Sequence, residues 1–137
     1  MPSIYFAAPI RGAGRDPKLV REVVLHLKEL GCDVVTEDYM LSATPEDPTP
    51  DPEVFERDMS LLRTADALIA DVTYPSLGVG YEICEAVHLG KPVMAFYRRG
   101  VRVSKLVLGN PMVVPTPFSD LEELKSAIKD FLERLRS

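Results

Sequence analysis

The sequence is poor in the residues from which many catalytic centres are read. Its 137 residues include two cysteines, Cys32 and Cys84, and two histidines, His26 and His88. Two cysteines do not make a disulfide framework, and neither sits in a metal-ligand spacing, so both are expected to be reduced, structural thiols. Each histidine stands alone on a helical pattern with no serine or cysteine nucleophile motif beside it, which argues against Ser-His or Cys-His hydrolysis. No apolar stretch approaches the roughly 18 residues of a membrane span, and the chain runs directly into Ser3-Ile4-Tyr5-Phe6-Ala7 without the basic and apolar regions of a signal peptide. A soluble, cytoplasmic protein with no membrane partner is the expectation. Net charge is −5 and no basic run exceeds Arg98-Arg99, so a nucleic-acid polymer is not expected as a partner. A phosphate-loop lysine motif is also absent, and Gly78-Val79-Gly80 runs on to Ile83 where a dinucleotide fingerprint needs glycine. ATP hydrolysis and hydride transfer are therefore poor readings.

What is present is an ordinary globular composition, 46% apolar and 27% charged, at a length that suits one domain. Strand patterns at Ile4–Ala8, Asp33–Thr36, Ala67–Ala70, Pro92–Tyr97 and Val113–Val114 alternate with helical ones. The first helix opens at Asp16-Pro17, carries Leu19, Val23, Leu27 and Leu30 at helical spacing, and closes at Gly31. Asp51-Pro52 is expected to repeat that opening for a helix bearing Val54, Phe55, Met59, Leu61 and Leu62. Ser104–Gly109 predicts a short helix, and Ser119-Asp120-Leu121-Glu122 reads as the capping box of a closing amphipathic helix. Between Glu37 and Pro52 four prolines predict a surface loop without regular structure that flanks or covers the site. The alternation implies a single three-layer α/β domain with a five-stranded parallel sheet.

The chain is organised around Asp71 to Glu82. A buried strand there leads through Pro75-Ser76-Leu77-Gly78-Val79-Gly80 into a helix, gathering free backbone N–H groups and the Ser76 hydroxyl at a helix N-terminus, which is a place for an anion. Glu82, expected in the first helical turn, is placed to point across the same mouth. Such a turn is also common in α/β proteins, and an acidic residue there complements the helix dipole with no further role. Arg11 and Arg15 occupy the turn after the first strand, where a guanidinium can hold one small anion whatever the net charge. Asp58 falls on the apolar side of its helix. Burying an acid costs free energy unless it is used, or paired with an arginine such as Arg57 or Arg63.

These residues resemble a known family. Ile4-Tyr5-Phe6 followed by Ile10-Arg11-Gly12, Asp58 ahead of Ala65-Asp66, and above all Pro75 to Glu82 look like the 2'-deoxynucleoside 5'-phosphate N-hydrolases, within the nucleoside 2-deoxyribosyltransferase superfamily. The resemblance runs from Ser3 to about Gly109 and implies a single Rossmann-like, flavodoxin-like catalytic domain over residues 1–137. It implies cleavage of the N-glycosidic bond of a deoxynucleoside monophosphate, with no cofactor and no metal. Glu82 then matches the nucleophile, Asp58 the acid that assists departure of the base, and Tyr5 the hydroxyl that holds the nucleophile. Ile10, Arg11, Gly12, Ser76 and Gly78 match the substrate-binding set, with Arg11, Ser76 and Gly78 matching the phosphate clamp. Ser104 matches a serine that reaches the phosphate from a neighbouring subunit, which implies a homodimer. Close relatives carry Gly-Ser ahead of Ile-Arg-Gly where this chain has Ala8-Pro9, a loss of one hydroxyl and one backbone donor for which Arg15 is expected to compensate. The rival readings are a deoxyribosyltransferase, which exchanges bases on unphosphorylated nucleosides, and a nucleotide-binding module without turnover.

Overall fold

Ile4, Tyr5 and Phe6 are β-branched and aromatic, and they open the strand β1 (Ser3–Ala7) in a computed structural model that describes residues 1–10, 15–44 and 46–136. Four further strands, β2 (Asp33–Val34), β3 (Ala67–Asp71), β4 (Val93–Arg98) and β5 (Val113–Phe118), join it in one sheet of order β2-β1-β3-β4-β5. All pairings are parallel, with Phe6 opposite Ile69, Ile69 opposite Met94 and Met94 opposite Val114. A parallel sheet must be covered on both faces, and the period of two along β1 divides its side chains between them. Ile4 and Phe6 pack with α1 (Pro17–Glu29) and α6 (Leu121–Arg136). Tyr5 and Ala7 turn the other way, toward α3 (Asp51–Thr64) and α4 (Leu77–His88). The expected three layers and five parallel strands are present.

Capping accounts for most of the helix boundaries. Asp16 caps α1 as expected, its Oδ1 accepting from Leu19 N at 3.1 Å, with Pro17 at the first position and Gly31 past the end at φ +85. The parallel expectation for α3 fails: Asp51 is already helical, and Pro50 holds the cap position without a side-chain hydrogen bond. In α6 the capping box lies one residue late. Asp120 Oδ1 accepts from Glu123 N at 2.8 Å, while Glu123 Oε1 accepts from Ser119 N at 2.6 Å.

Three elements differ from their expected extent. β2 stops after Val34 because the buried Thr36 side chain takes over from the ladder, accepting from Phe6 N at 3.2 Å and donating to Phe6 O at 2.8 Å. The stretch expected as loop begins with a helix, α2 (Glu37–Ser42), since every proline lies beyond Ser42 and Met40 has a core to enter. β5 runs through Pro115 and Pro117 rather than stopping at Val114, which an edge strand tolerates because a missing N–H can face away from the ladder. The short α5 (Lys105–Leu108) follows Ser104. Cys32 is buried and Cys84 exposed, both free, and His26 Nε2 lies 3.1 Å from Lys125 O. Among the described residues no helix is long and apolar enough to cross a membrane.

Candidate active site

From β1 the chain passes to β2 on one side, then returns to β3 on the other, so the crevice between the carboxyl ends of β1 and β3 is the sheet's switch point. A cleft of about 670 Å³ opens there, within the usual size of a small-ligand site. Ile10 lies on its β1 side, Tyr39 and Met40 come from α2, Phe55, Arg57 and Asp58 from α3, and Ser76, Gly78, Tyr81 and Glu82 from α4 and its approach.

The α4 wall differs from expectation by about one turn. The helix starts at Leu77, with extended Ser76 as its cap, so Gly78 and Gly80 are helical and Glu82 stands in the second turn. Ser76 Oγ accepts from Val79 N at 3.2 Å, which occupies one of its lone pairs and leaves its proton free to donate. The N–H groups of Leu77 and Gly78 precede any helical acceptor and lie at the positive end of the helix dipole. Neither glycine is needed for its backbone angle. A Cβ at Gly78 would approach nothing nearer than Ser76 Oγ at 4.0 Å, so what glycine supplies is an open mouth.

Glu82 is joined from below by Tyr5. Because Tyr5 faces the α3 and α4 layer and is fully buried, its hydroxyl comes up between the two helices and donates to Glu82 Oε2. Burial, with the charge of Asp58 adding to it, raises the Glu82 carboxyl from 4.5 to about 7, even though the Tyr5 hydrogen bond and Arg57 favour the anion. Burial and the neighbouring Glu82 push the Tyr5 hydroxyl far above its ordinary range, so it remains a donor at any working pH. Asp58, 9% exposed, faces the cleft from α3 and accepts from Arg57 Nε at 2.9 Å. Burial raises its carboxyl, while the hydrogen bond and charge of Arg57 pull the other way. Arg57 also lies over the Tyr39 ring, 4.0 Å from its centroid. Tyr39 is itself raised to about 12 by burial and by the charges of Asp58 and Glu82.

The structure thus brings Tyr5, Asp58 and Glu82 together and sets Ile10, Ser76 and Gly78 in the walls of the same cleft. Arg11 and Gly12 lie outside the described residues. Ser104 is exposed before α5 and does not line the cleft. The compensating role expected of Arg15 is not supported. Its guanidinium donates to Pro9 O at 3.3 Å and Met40 O at 2.7 Å, and it lines a separate recess of about 250 Å³ with Asp71, Thr73 and Arg98. Tyr39 was hidden from sequence reasoning by the prolines that follow it. Arg57 was legible only as a partner of Asp58. Among the described residues no three His, Cys, Asp or Glu side chains converge as a metal-holding group.

A profile of the nucleoside 2-deoxyribosyltransferase family matches residues 4–126. The chain belongs to that family. Among its relatives, a Methanosarcina mazei protein provisionally named 2'-deoxynucleoside 5'-phosphate N-hydrolase 1 is 39% identical over 138 residues, covering 97% of this chain and 85% of the relative. The Mus musculus 5-hydroxymethyl-dUMP N-hydrolase is 43% identical over 100 residues, which is 70% of this chain and 57% of that one. Among solved structures, the Clostridium botulinum CMP N-glycosidase has the same fold, with a TM-score of 0.67 at 18% identity over 93% of this chain and 98% of its own.

Removing the Tyr5 hydroxyl tests the arrangement of this family's site in the present chain. That hydrogen bond favours the Glu82 anion, so its loss leaves burial and Asp58 to act with less opposition. Tyr5→Phe is expected to move the limb of the pH–rate profile that Glu82 sets upward from about 7, by about one pH unit, with a smaller effect on the maximum. An unmoved limb would mean that Glu82 is not the group titrating in it.

Proposed function

We propose that this chain hydrolyses the N-glycosidic bond of 2'-deoxynucleoside 5'-monophosphates, giving free base and 2-deoxyribose 5-phosphate, and that residues 1–137 form one catalytic domain. That it is an N-glycosidase follows from its family and from relatives named as N-hydrolases. The observation that carries the finer reading is the hydrogen bond from buried Tyr5 to Glu82 inside a cleft that also receives Asp58. A carboxylate aimed by a permanent neutral donor is an oriented nucleophile, and a second carboxyl raised by burial is a proton source.

The reaction proceeds in two steps. Glu82 attacks C1', the bond from C1' to the base nitrogen breaks, its electron pair leaves with the base, and the Asp58 carboxyl supplies the proton. Water then attacks the glycosyl ester at C1', giving its proton to Asp58 and releasing Glu82, as in retaining sugar hydrolysis. A deoxysugar lacks the electron-withdrawing 2'-hydroxyl, so its oxocarbenium-like transition state is easier to reach. The 5'-phosphate sits at the N-terminus of α4, against the Ser76 hydroxyl and the Leu77 and Gly78 N–H groups. Ser104, exposed and away from its own cleft, acts on the phosphate in a second copy of the chain, so the working form is a homodimer.

The test is base release, followed by chromatography, from a panel of 2'-deoxynucleoside monophosphates beside the matching nucleosides and ribonucleotides, with and without an acceptor base. Release from the deoxynucleotides without acceptor is the expected outcome. Exchange on unphosphorylated nucleosides that requires the acceptor would overturn the proposal in favour of a transferase, and binding without any release would leave a nucleotide-binding module.

A further inference from the structure

Arg57, which lines the cleft, gives one of its donor groups to the protein and leaves another unpaired. Its Nε–H donates to Asp58 Oδ1 at 2.9 Å, and the Tyr39 ring 4.0 Å from Cζ fixes the plane of the guanidinium. Nη2 is buried, yet among the described residues it has no hydrogen-bond partner. A buried donor left unmade is destabilising, more so when it is charged, so a ligand that completes it is favoured. The orphan belongs to a residue that lines the cleft, on the same wall as Asp58 and across from Ser76 and Glu82.

With the phosphate at Ser76 and the sugar at Glu82, the base is left to the α2 and α3 wall. Every nucleobase carries an acceptor next to its glycosidic nitrogen, the O2 of a pyrimidine or the N3 of a purine. We propose that Arg57 is the leaving-group donor of this site, its unpaired Nη2–H meeting that acceptor once the side chain turns it toward the bound base. This inference rests on the N-glycosidase reading. As the C1'–N bond breaks, its electron pair moves onto the base, the acceptor becomes more negative, and the hydrogen bond strengthens in the transition state. Arg57 keeps its proton throughout. Asp58 gives its own to the base nitrogen and is left as a carboxylate already paired with Arg57.

The effect depends on how much help the leaving group needs. The probes are deoxyuridine monophosphates unsubstituted or bearing electron-withdrawing fluoro or bromo groups at the 5-position, which make the departing base a weaker base. Arg57→Gln is expected to lower kcat/KM about 100-fold for the unsubstituted substrate and less than about 10-fold for the most activated one, steepening the dependence on leaving-group pKa. Because Arg57 also holds Asp58, the series is repeated in an Asp58→Asn background. A direct donor still steepens the dependence there, whereas a residue that only positions Asp58 has no further effect. Parallel plots for wild type and Arg57→Gln, or silence in the Asp58→Asn background, overturn the assignment of Arg57 while base release by the wild type leaves the N-glycosidase reading standing. No base release by folded wild-type protein overturns both.

Discussion

Glu82→Gln is expected to lower base release by at least about 10³-fold while making the folded protein more stable at neutral and basic pH. The two effects share one cause. The glutamine cannot form the glycosyl ester, but it keeps an oxygen that accepts from Tyr5, so the wall of the cleft is preserved. In the wild type, burial raises the Glu82 carboxyl from 4.5 to about 7. The folded state therefore binds this proton more tightly than the unfolded chain, and stability falls as pH rises from about 4.5 through about 7. A rise of that size corresponds to about 3 kcal/mol once the group is ionised, an order-of-magnitude figure. Glu82→Gln removes the cost, so its Tm should exceed that of wild type by several degrees at pH 8, and the difference should shrink toward nothing below about 4.5. Calorimetry across that range beside a base-release assay measures both. An equal Tm at pH 8 would mean that Glu82 is not held against its charge.

That tension between function and stability was partly legible in the sequence. The run from Ser76 to Glu82 after an apolar strand pointed to a helix N-terminus and a carboxylate on one mouth, because a parallel α/β sheet puts its strand-to-helix loops at one edge. The alternation of Ile4, Tyr5, Phe6 and Ala7 contained the rest, since it sends Tyr5 to the face opposite Phe6. Which face holds α3 and α4 is decided by the crossovers, and only the fold supplies that. Helix boundaries were less legible for local reasons. Gly78 and Gly80 read as loop, but the Ser76 cap and the packing of Val79 and Ile83 outweigh their poor helix propensity. The prolines between Pro45 and Pro52 masked the short helix carrying Tyr39, and with it the ring that holds Arg57 in place.

Asp58→Asn should be the second large loss, about 10²–10⁴-fold in kcat, as expected for a missing general acid. Its pH signature separates it from damage to packing. The charge of Asp58 is one of the influences that raise Glu82, so neutralising it lets Glu82 ionise more easily. With no second carboxyl left to need a proton, the residual activity should rise on a limb set by Glu82 alone and lying below about 7, a change in the Glu82 carboxyl opposite in sign to that expected of Tyr5→Phe. Opposite shifts from two substitutions on either side of one carboxyl would identify Glu82 as the group that titrates. The two carboxyls titrate as a coupled pair: the free site favours a proton on Glu82 and the Asp58–Arg57 ion pair, whereas the proposed turnover needs the proton on Asp58. Engagement of Arg57 by a base would weaken its hold on the Asp58 anion and help the proton cross over. A limb that stays near 7 in Asp58→Asn would break this link and leave Asp58 as the structural partner of Arg57 alone.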